Sequence, residues 1–230
     1  MAKKKKDALD DQLVAVEETL SRTEAYIEKN QSKLITIVSV VVGIIAVYLA
    51  YGRFIVQPQQ EEAMQELVWA KLKFEADSFQ SALNGNMQNM GLLDHADEYS
   101  GTPAGETSRY MAGIALMRTS DFTGAIAQLD QCSFGDPIMQ AATYGAIGDC
   151  FAEIDQPAEA QEYFAKAADS SSDILTAPIH LLKAGKMAEY NGQHSQALKF
   201  YERIRNDYPD SQEALQIDAS IAKVKHLTSK

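Results

Sequence analysis

The sequence has little cysteine, proline and glycine, with 2, 6 and 13 of them in 230 residues. Cys132 and Cys150 could pair in an oxidising compartment or remain buried thiols, and their spacing matches no zinc site. Few residues break helices, and alanine, glutamate, glutamine and lysine, which favour helix, are plentiful. No segment outside one apolar run near the N-terminus has the alternating β-branched pattern of a strand. The sequence therefore predicts an all-α protein.

Catalytic signatures are also missing. The chain has no glycine-rich phosphate loop, no paired-histidine zinc helix and no nucleophile elbow. The histidines are scattered, and we assign surface or packing roles to all four: His95, His180, His194 and His226. Asp149 and Glu153 share a helix face, but two carboxylates alone are a weak catalytic signal. We expect no enzyme activity, no metal, no cofactor and no small-molecule substrate.

Basic residues are scarce in the longer part of the chain. The net charge is −11, and residues 54–230 hold 13 basic and 25 acidic side chains. A surface of this charge repels nucleic acid and anionic lipid. Two interpretations stay open, a well-solvated surface and a preference for basic or unfolded protein clients.

One long segment has no charge at all, from Leu34 to Tyr51. As a helix its 18 residues extend about 27 Å, enough to cross the hydrocarbon layer of a membrane. The 33 residues ahead of it are too many for a cleaved signal peptide. The sequence therefore predicts an uncleaved transmembrane anchor over residues 34–56, with Pro58 separating it from the next helix.

Lysine and arginine lie mostly before this segment. Lys3 to Lys6, Arg22, Lys29 and Lys33 precede it, whereas Arg53 alone follows closely. The positive-inside rule then places the N-terminus in the cytoplasm and residues 57–230 across the membrane. In a bacterium with two membranes we expect a single-pass inner-membrane protein with a periplasmic C-terminal domain.

Residues 1–33 form a predicted cytoplasmic amphipathic helical arm. Its apolar residues fall on one helical stripe, and acidic residues occupy the other faces. Three interpretations stay open: a docking helix for a partner, a short two-stranded coiled coil, or a weakly ordered arm. The docking residues would be Leu9, Leu13, Val16, Leu20 and Ile27.

A repeat follows the predicted anchor. Three glycines each precede an alanine by twelve residues: Gly113 and Ala125, Gly148 and Ala160, Gly185 and Ala197. The glycine spacings of 35 and 37 lie close to the 34-residue period of tetratricopeptide helix pairs. Such arrays bind polypeptides. We expect a tetratricopeptide-like α-solenoid over residues 105–230, made of three repeats and a capping helix at Ser211–Leu227.

An opening helical hairpin is predicted over residues 57–104. Its first helix would span residues 59–84, a glycine and asparagine break would follow at residues 85–91, and a short helix would run through Tyr99. Turns between the repeat helices are expected at Ser120–Asp121, Asp155–Pro157 and Asn191–Gln193.

The first helix of each repeat should line a concave groove. A mixture of tyrosine, methionine and isoleucine there suits adaptable contact with unfolded apolar segments. The alternative for Ile114 and Leu182 is a place in the core. The predicted groove residues are Tyr110, Ile114, Met117, Arg118, Asp149, Glu153, Leu182, Lys186 and Tyr190.

This layout resembles the YfgM-like family, the ancillary subunit of the SecYEG translocon. The stretches Phe122–Leu129, Gly148–Asp149 and Ala197–Tyr201 look most like versions found in Bacteroidota. The resemblance implies binding to translocon subunits and handling of exported or unfolded polypeptides as a chaperone. The alternative function is an envelope scaffold that organises cell-division or outer-membrane assembly proteins.

Overall fold

A computed structural model describes residues 29–228 of the chain. The chain divides into two compact units, Met1–Pro58 and Gln59–Lys230, which we describe separately. The residues predicted to form the docking stripe of the cytoplasmic arm lie outside the described residues: Leu9, Leu13, Val16, Leu20 and Ile27.

Within residues 29–228 all regular structure is helical, which confirms the predicted all-α fold class. Helix α1 covers residues 29–51. The others are α2 Gln57–Glu75, α3 Phe79–Asn84, α4 Leu92–Glu98, α5 Pro103–Arg118, α6 Phe122–Leu129, α7 Pro137–Glu153, α8 Pro157–Ser170, α9 Ala177–Tyr190, α10 His194–Asp207 and α11 Ile217–Thr228.

The apolar segment is helical, and its apolar side chains after the partly buried Leu34 are exposed, Val47 to 70%. Among the described residues one helix, Lys29–Glu75, is long and apolar enough to cross a membrane, by length and composition alone. The prediction that Pro58 ends the helix is wrong. A π-turn at Gly52–Val56 precedes Pro58, and helix continues through it. Such turns accommodate residues that disturb the regular hydrogen-bond ladder.

The predicted opening helix over residues 59–84 is in fact two helices. Helix α2 ends at Glu75, where Asp77 takes a left-handed φ of 53°. The N–H of Ser78 then donates to the carbonyl of Lys73 at 2.9 Å, which closes the end of the helix. The predicted break at residues 85–91 is confirmed by the structure, and the short helix α4 follows it. Three helices therefore precede the repeats.

His95 of α4 joins the opening helices to the first repeat. Its ring is fully buried. Nε2 lies 2.7 Å from the carbonyl of Ala63 in α2, and Nδ1 lies 2.7 Å from the hydroxyl of Ser108 in α5. Nε2–H donates to the carbonyl because a carbonyl oxygen only accepts. The packing role that the sequence predicts for His95 is thus a polar bridge among three helices.

The protein should become less stable as the pH falls below 6.5, the ordinary pKa of a histidine side chain. Burial lowers the pKa of His95 from 6.5, against the raising influence of Ala63 and Glu66, and burial also lowers the pKa of His180. The unfolded chain then binds more protons than the native chain, so stability is complete above pH 6.5 and is lost below it. Urea unfolding between about pH 7.5 and 5.5 measures this loss. A His95→Gln variant should show a shallower pH dependence, and an unchanged slope would contradict the assignment.

Three antiparallel helix pairs follow: α5 with α6, α7 with α8, and α9 with α10. Each turn lies where the sequence predicts it. One residue in every turn takes a left-handed φ, namely Ser120 at 63°, Asp155 at 56° and Gly192 at 69°. The three turns therefore have the same backbone conformation. Only the third has glycine, the residue that favours a left-handed φ, at this position.

The repeat glycines allow the paired helices to touch. A Cβ atom on any of them would overlap a large side chain sixteen residues later in the chain. The separations would be 2.5 Å for Gly113 and Leu129, 2.7 Å for Gly148 and Phe164, and 2.2 Å for Gly185 and Tyr201. The three glycines therefore lie at the close crossings of the paired helices, each against a large side chain of the second helix of its own pair.

Ion pairs mark the register between successive repeats. Lys183 contacts Asp149 at 2.7 Å, Arg203 contacts Asp169 at 2.6 Å, and Lys223 contacts Glu189, each across 34 residues. The last pair joins α11 to α9. Helix α11 therefore occupies the place of a first helix in a fourth repeat.

The predicted capping helix is shorter than Ser211–Leu227. The Ser211 hydroxyl accepts the N–H of Ala214 at 3.2 Å, a single 3₁₀ turn covers Ala214–Gln216, and α11 begins only at Ile217. Helical spacing predicts an inner stripe of Ala214, Ile217, Ile221 and Val224. The last three are buried, whereas Ala214 is partly buried in the 3₁₀ turn before the helix.

Candidate functional site

The first helices of the repeats, α5, α7 and α9, carry all nine predicted groove residues. Glycine at the helix crossings and alanine at buried positions such as Ala112, Ala146 and Ala184 keep these helices close to their neighbours. The surfaces that remain open between the first helices form two clefts.

The larger cleft, of about 480 Å³, lies among α5, α7 and α9. It brings together five of the nine predicted residues: Ile114, Met117, Arg118, Asp149 and Glu153. The remaining lining is Phe122, Ala142, Gly145, Ala146, Ala152 and His180. Ile114 and Met117 are partly buried and also pack against the core around Leu129 and Ile147. They serve as core and cleft floor together.

The smaller cleft, of about 350 Å³, lies between α9 and the start of α11. It contains Leu182 and Lys186 of the predicted set, beside Glu213 and Gln216. Leu182 is partly buried against the core of the last repeat. Leu182 is therefore both a core residue and a cleft residue.

Two predicted residues line neither cleft. Tyr110 packs beside Leu129, and its ring meets Phe134 edge-on at 5.9 Å. Tyr190 is 70% exposed at the end of α9, where its hydroxyl lies 3.4 Å from an Asp155 carboxylate oxygen. A groove built from these residues would have to extend beyond the larger cleft.

The charges in the larger cleft are partly compensated. Lys183 reaches both carboxylate oxygens of Asp149, at 2.7 and 2.9 Å. Both side chains of this pair are more than a third exposed, so it adds at most about 1 kcal/mol to stability. Burial, and then the Lys183 charge, lower the pKa of His180. Arg118 and Glu153 are exposed and provide opposite charges on the cleft margin.

Sequence reasoning missed two members of the larger cleft that act together. A Cβ atom on Gly145 would lie 2.3 Å from Cε1 of His180, so this glycine is what lets the ring lie against α7. The two residues are 35 apart, as Gly113 and Gly148 are, and that spacing was the signal available. From the sequence alone, His180 has only a surface or packing role.

Metal ligation and thiol chemistry are two kinds of reactive site that side chains could form among the described residues. Among them no group of three or more histidine, cysteine or acidic residues could hold a metal ion. Cys132 and Cys150 are buried free thiols. Burial raises the pKa of Cys132 to about 11 and that of Cys150 to about 12, so neither is a thiolate at neutral pH.

Comparison with known proteins agrees with the repeat geometry. A family model described as "Tetratricopeptide repeat" matches residues 181–211, which cover most of α9 and all of α10. A search of curated proteins finds no match.

A solved structure supports the fold over a longer stretch. This chain is similar to a crystal structure of nearly identical TPR-like repeats from a putative kinesin light chain of Podosopora anserina. The TM-score is 0.52 and the sequence identity is 13%. The match covers 74% of this chain and 88% of that one. The chain therefore has a TPR-like repeat fold, and residues 181–211 match the tetratricopeptide repeat itself.

Proposed function

We propose that this protein is a membrane-anchored polypeptide-binding protein and an accessory subunit or chaperone of the Sec protein translocon. The observation that carries the proposal is the larger cleft, which has an apolar floor and a charged margin on the first helices of successive repeats. Tetratricopeptide repeats bind protein partners in general, and the resemblance to the YfgM-like family supplies the particular partner.

The cleft suits an extended chain better than a compact ligand. Its floor is formed by Ile114, Met117 and Ala146, which offer contact to apolar side chains of any shape. Arg118 and Glu153 at the margin give one charge of each sign, which favours no single sequence. A site of this kind is expected to bind weakly and broadly, because ordering an unfolded segment costs free energy that few strong contacts here offset.

The proposal includes a membrane anchor whose N-terminal end lies in the cytoplasm. The helix Lys29–Glu75 has the length and composition of a membrane span. Lysine and arginine cluster before it in the sequence, which favours a cytoplasmic N-terminus. The repeats would then stand on the periplasmic side of a bacterial inner membrane, where exported chains emerge.

The proposal is tested by affinity purification of the full chain from detergent-solubilised membranes. Translocon channel subunits should co-purify with the wild-type chain, together with a mixture of exported polypeptides. An Ala152→Trp variant places an indole in the larger cleft and should retain about a tenth of the exported polypeptides while keeping the translocon subunits. Glu159→Trp, on the exposed side of α8, is the matched control and should behave like wild type.

Two results would contradict the proposal. Recovery of one or two folded envelope proteins in fixed ratio, without translocon subunits, would favour the scaffold function instead. Equal recovery of exported polypeptides with Ala152→Trp and wild type would remove the cleft as their binding site.

A further inference from the structure

Exposed apolar side chains of the repeat region gather at one place in the fold. Among residues 101–228, eight large apolar side chains are exposed, and six of them lie at or just before the start of a first helix. We name these six the apolar edge: Ile138 and Met139 at α7, Ile174, Leu175 and Ile179 at α9, and Leu215 before α11. Such concentration is unlike the scattered single exposures that are normal on a protein surface.

The register between repeats places the first two groups side by side. Lys183 contacts Asp149, and the His180 ring lies against Gly145, so α9 aligns with α7 at an offset of 34 or 35 residues. At that offset Ile138 and Met139 are level with residues 172–174. They therefore stand beside Ile174 and Leu175 on the neighbouring helix start.

The third group continues the row. Lys223 contacts Glu189, so α11 aligns with α9 at an offset of 34 residues. Leu215 lies in the 3₁₀ turn just before α11, as Ile174 and Leu175 lie just before α9. The apolar edge thus lies at the starts of three successive first helices, and His180, the residue after Ile179, marks where it borders the larger cleft.

Side-chain hydrogen bonds fix the backbone at two of the three groups of exposed residues. The Asp173 carboxylate accepts the N–H of Leu175 at 2.8 Å and that of Thr176 at 3.1 Å. The Asp136 carboxylate accepts the N–H of Met139 at 2.8 Å. The exposed apolar positions therefore belong to ordered helix starts.

The sequence around the apolar edge is mostly acidic. The segments 133–148, 167–182 and 206–222 contain seven aspartates and glutamates and no lysine or arginine. Asp169 and Asp207 contact Arg203, Asp218 contacts Arg205, and Asp136 caps α7. Asp210 and Glu213 add negative charge beside Leu215, where Lys186 of α9 also lies. A second copy of this edge, or an anionic lipid surface, would meet repulsion of like charges.

We infer that the apolar edge binds an amphipathic segment of a partner protein, with leucine-like side chains on one face and lysine or arginine beside them. The apolar side chains of the segment would cover the six exposed residues, and its basic side chains would meet the surrounding carboxylates. The larger cleft has Arg118 on its margin, whereas the segments around the apolar edge contain no lysine or arginine, so basic side chains beside the apolar face of a partner favour the edge. The array can then dock a fixed partner at the edge while the cleft stays open.

The test uses the purified full chain in detergent and two fluorescein-labelled helical peptides. One peptide consists of leucine and lysine at helical spacing, and the other has glutamate in place of every lysine. Fluorescence anisotropy gives the Kd of each. Leu175 and Leu215 are 72% and 81% exposed, so the variants Leu175→Ser and Leu215→Ser should keep the helical circular dichroism of the wild type. Met87→Ser, at a side chain 95% exposed in the loop between α3 and α4, is the matched control.

The lysine peptide should bind the wild-type chain, and each edge variant should raise its Kd about tenfold. Met87→Ser and the cleft variant Ala152→Trp should bind it like wild type, and the glutamate peptide should bind at least about tenfold more weakly. Unchanged binding by both edge variants would overturn the inference, as would loss of binding in Ala152→Trp alone. Dimerisation in sedimentation that Leu175→Ser abolishes would overturn it in favour of a second copy, and capture by phosphatidylglycerol vesicles in favour of lipid. None of these results depends on recovering the translocon.

Discussion

Gly185→Ala should lower the free energy of unfolding by about 3 kcal/mol, the upper end of the usual range for an overpacked core. The added Cβ would lie 2.2 Å from Cε1 of Tyr201, whose side chain is only 1% exposed. The ring has no free direction, because its hydroxyl donates to a Glu189 carboxylate oxygen at 2.7 Å. Burial raises the pKa of Tyr201, and so does this carboxylate, so the hydroxyl keeps its proton at neutral pH. Urea unfolding of the full chain in detergent, followed by circular dichroism, measures the loss.

A matched pair of variants checks the cause. Gly135→Ala meets no atom within 4 Å and should change stability by less than about 0.5 kcal/mol. The double variant Gly185→Ala with Tyr201→Leu should lose less than the two single variants together, since the smaller side chain relieves the overlap. The first repeat already has the corresponding leucine, Leu129, opposite Gly113. Strictly additive losses would show that the close approach at this crossing is not the source of the effect.

His95→Ala should cost about 3 kcal/mol through a cavity and lost hydrogen bonds. The variant leaves the carbonyl of Ala63 without its side-chain donor. It also removes the group that lies 2.7 Å from the hydroxyl of Ser108, although that hydroxyl can still donate to Ala104 at 3.0 Å. Because His95 connects α2 and α5, the first consequence should be loosening of the opening helices.

Hydrogen exchange followed by mass spectrometry locates that effect. The His95→Ala variant should exchange faster in α2 and α4, while α9 and α10 keep wild-type protection, since stability in repeat arrays is largely local. Glu98→Ala, at an exposed position of the same helix, is the control and should leave α2 unchanged. Uniform loss of protection across all helices would contradict a local bridge.

The repeat core was predictable from the sequence because its rules are local and recurrent. The spacing of Gly113, Gly148 and Gly185 identified the helix crossings, and the short polar stretches between helices identified the turns. Both depend on residue type at a fixed period, which one sequence displays directly. Helical spacing of apolar residues likewise predicted the inner stripe of the last helix.

The opening segment was less predictable because it does not repeat. Residues 59–84 have continuous helical periodicity, yet the chain turns at Asp77, a residue type that tolerates a left-handed φ without requiring it. Pro58 was expected to end a helix, and the π-turn before it removes that conflict. The turn at Asp77 depends on the packing of α3 and α4 against α5, which no local sequence pattern indicates.

The site was predictable at the level of the helices and not of every side chain. Helical spacing placed Met117, Arg118 and Glu153 on the first helices, and the structure brings them to one cleft. Spacing could not distinguish a cleft residue from a core residue one position away. Tyr110 was therefore predicted in the groove, whereas in the structure it packs beside Leu129. Nor could it foresee that Asp149 would be held by Lys183, since that contact joins two repeats.

Site-specific photocrosslinking from position 152, which is Ala152 in the wild type, tests most directly whether the larger cleft binds exported polypeptides. A benzophenone amino acid at this exposed cleft position is introduced into the full chain in cells, with the same group at Glu159 on α8 as the comparison. The account predicts adducts with many different exported polypeptides from Ala152 and few from Glu159. No adducts from Ala152, or the same adducts from both positions, would contradict it.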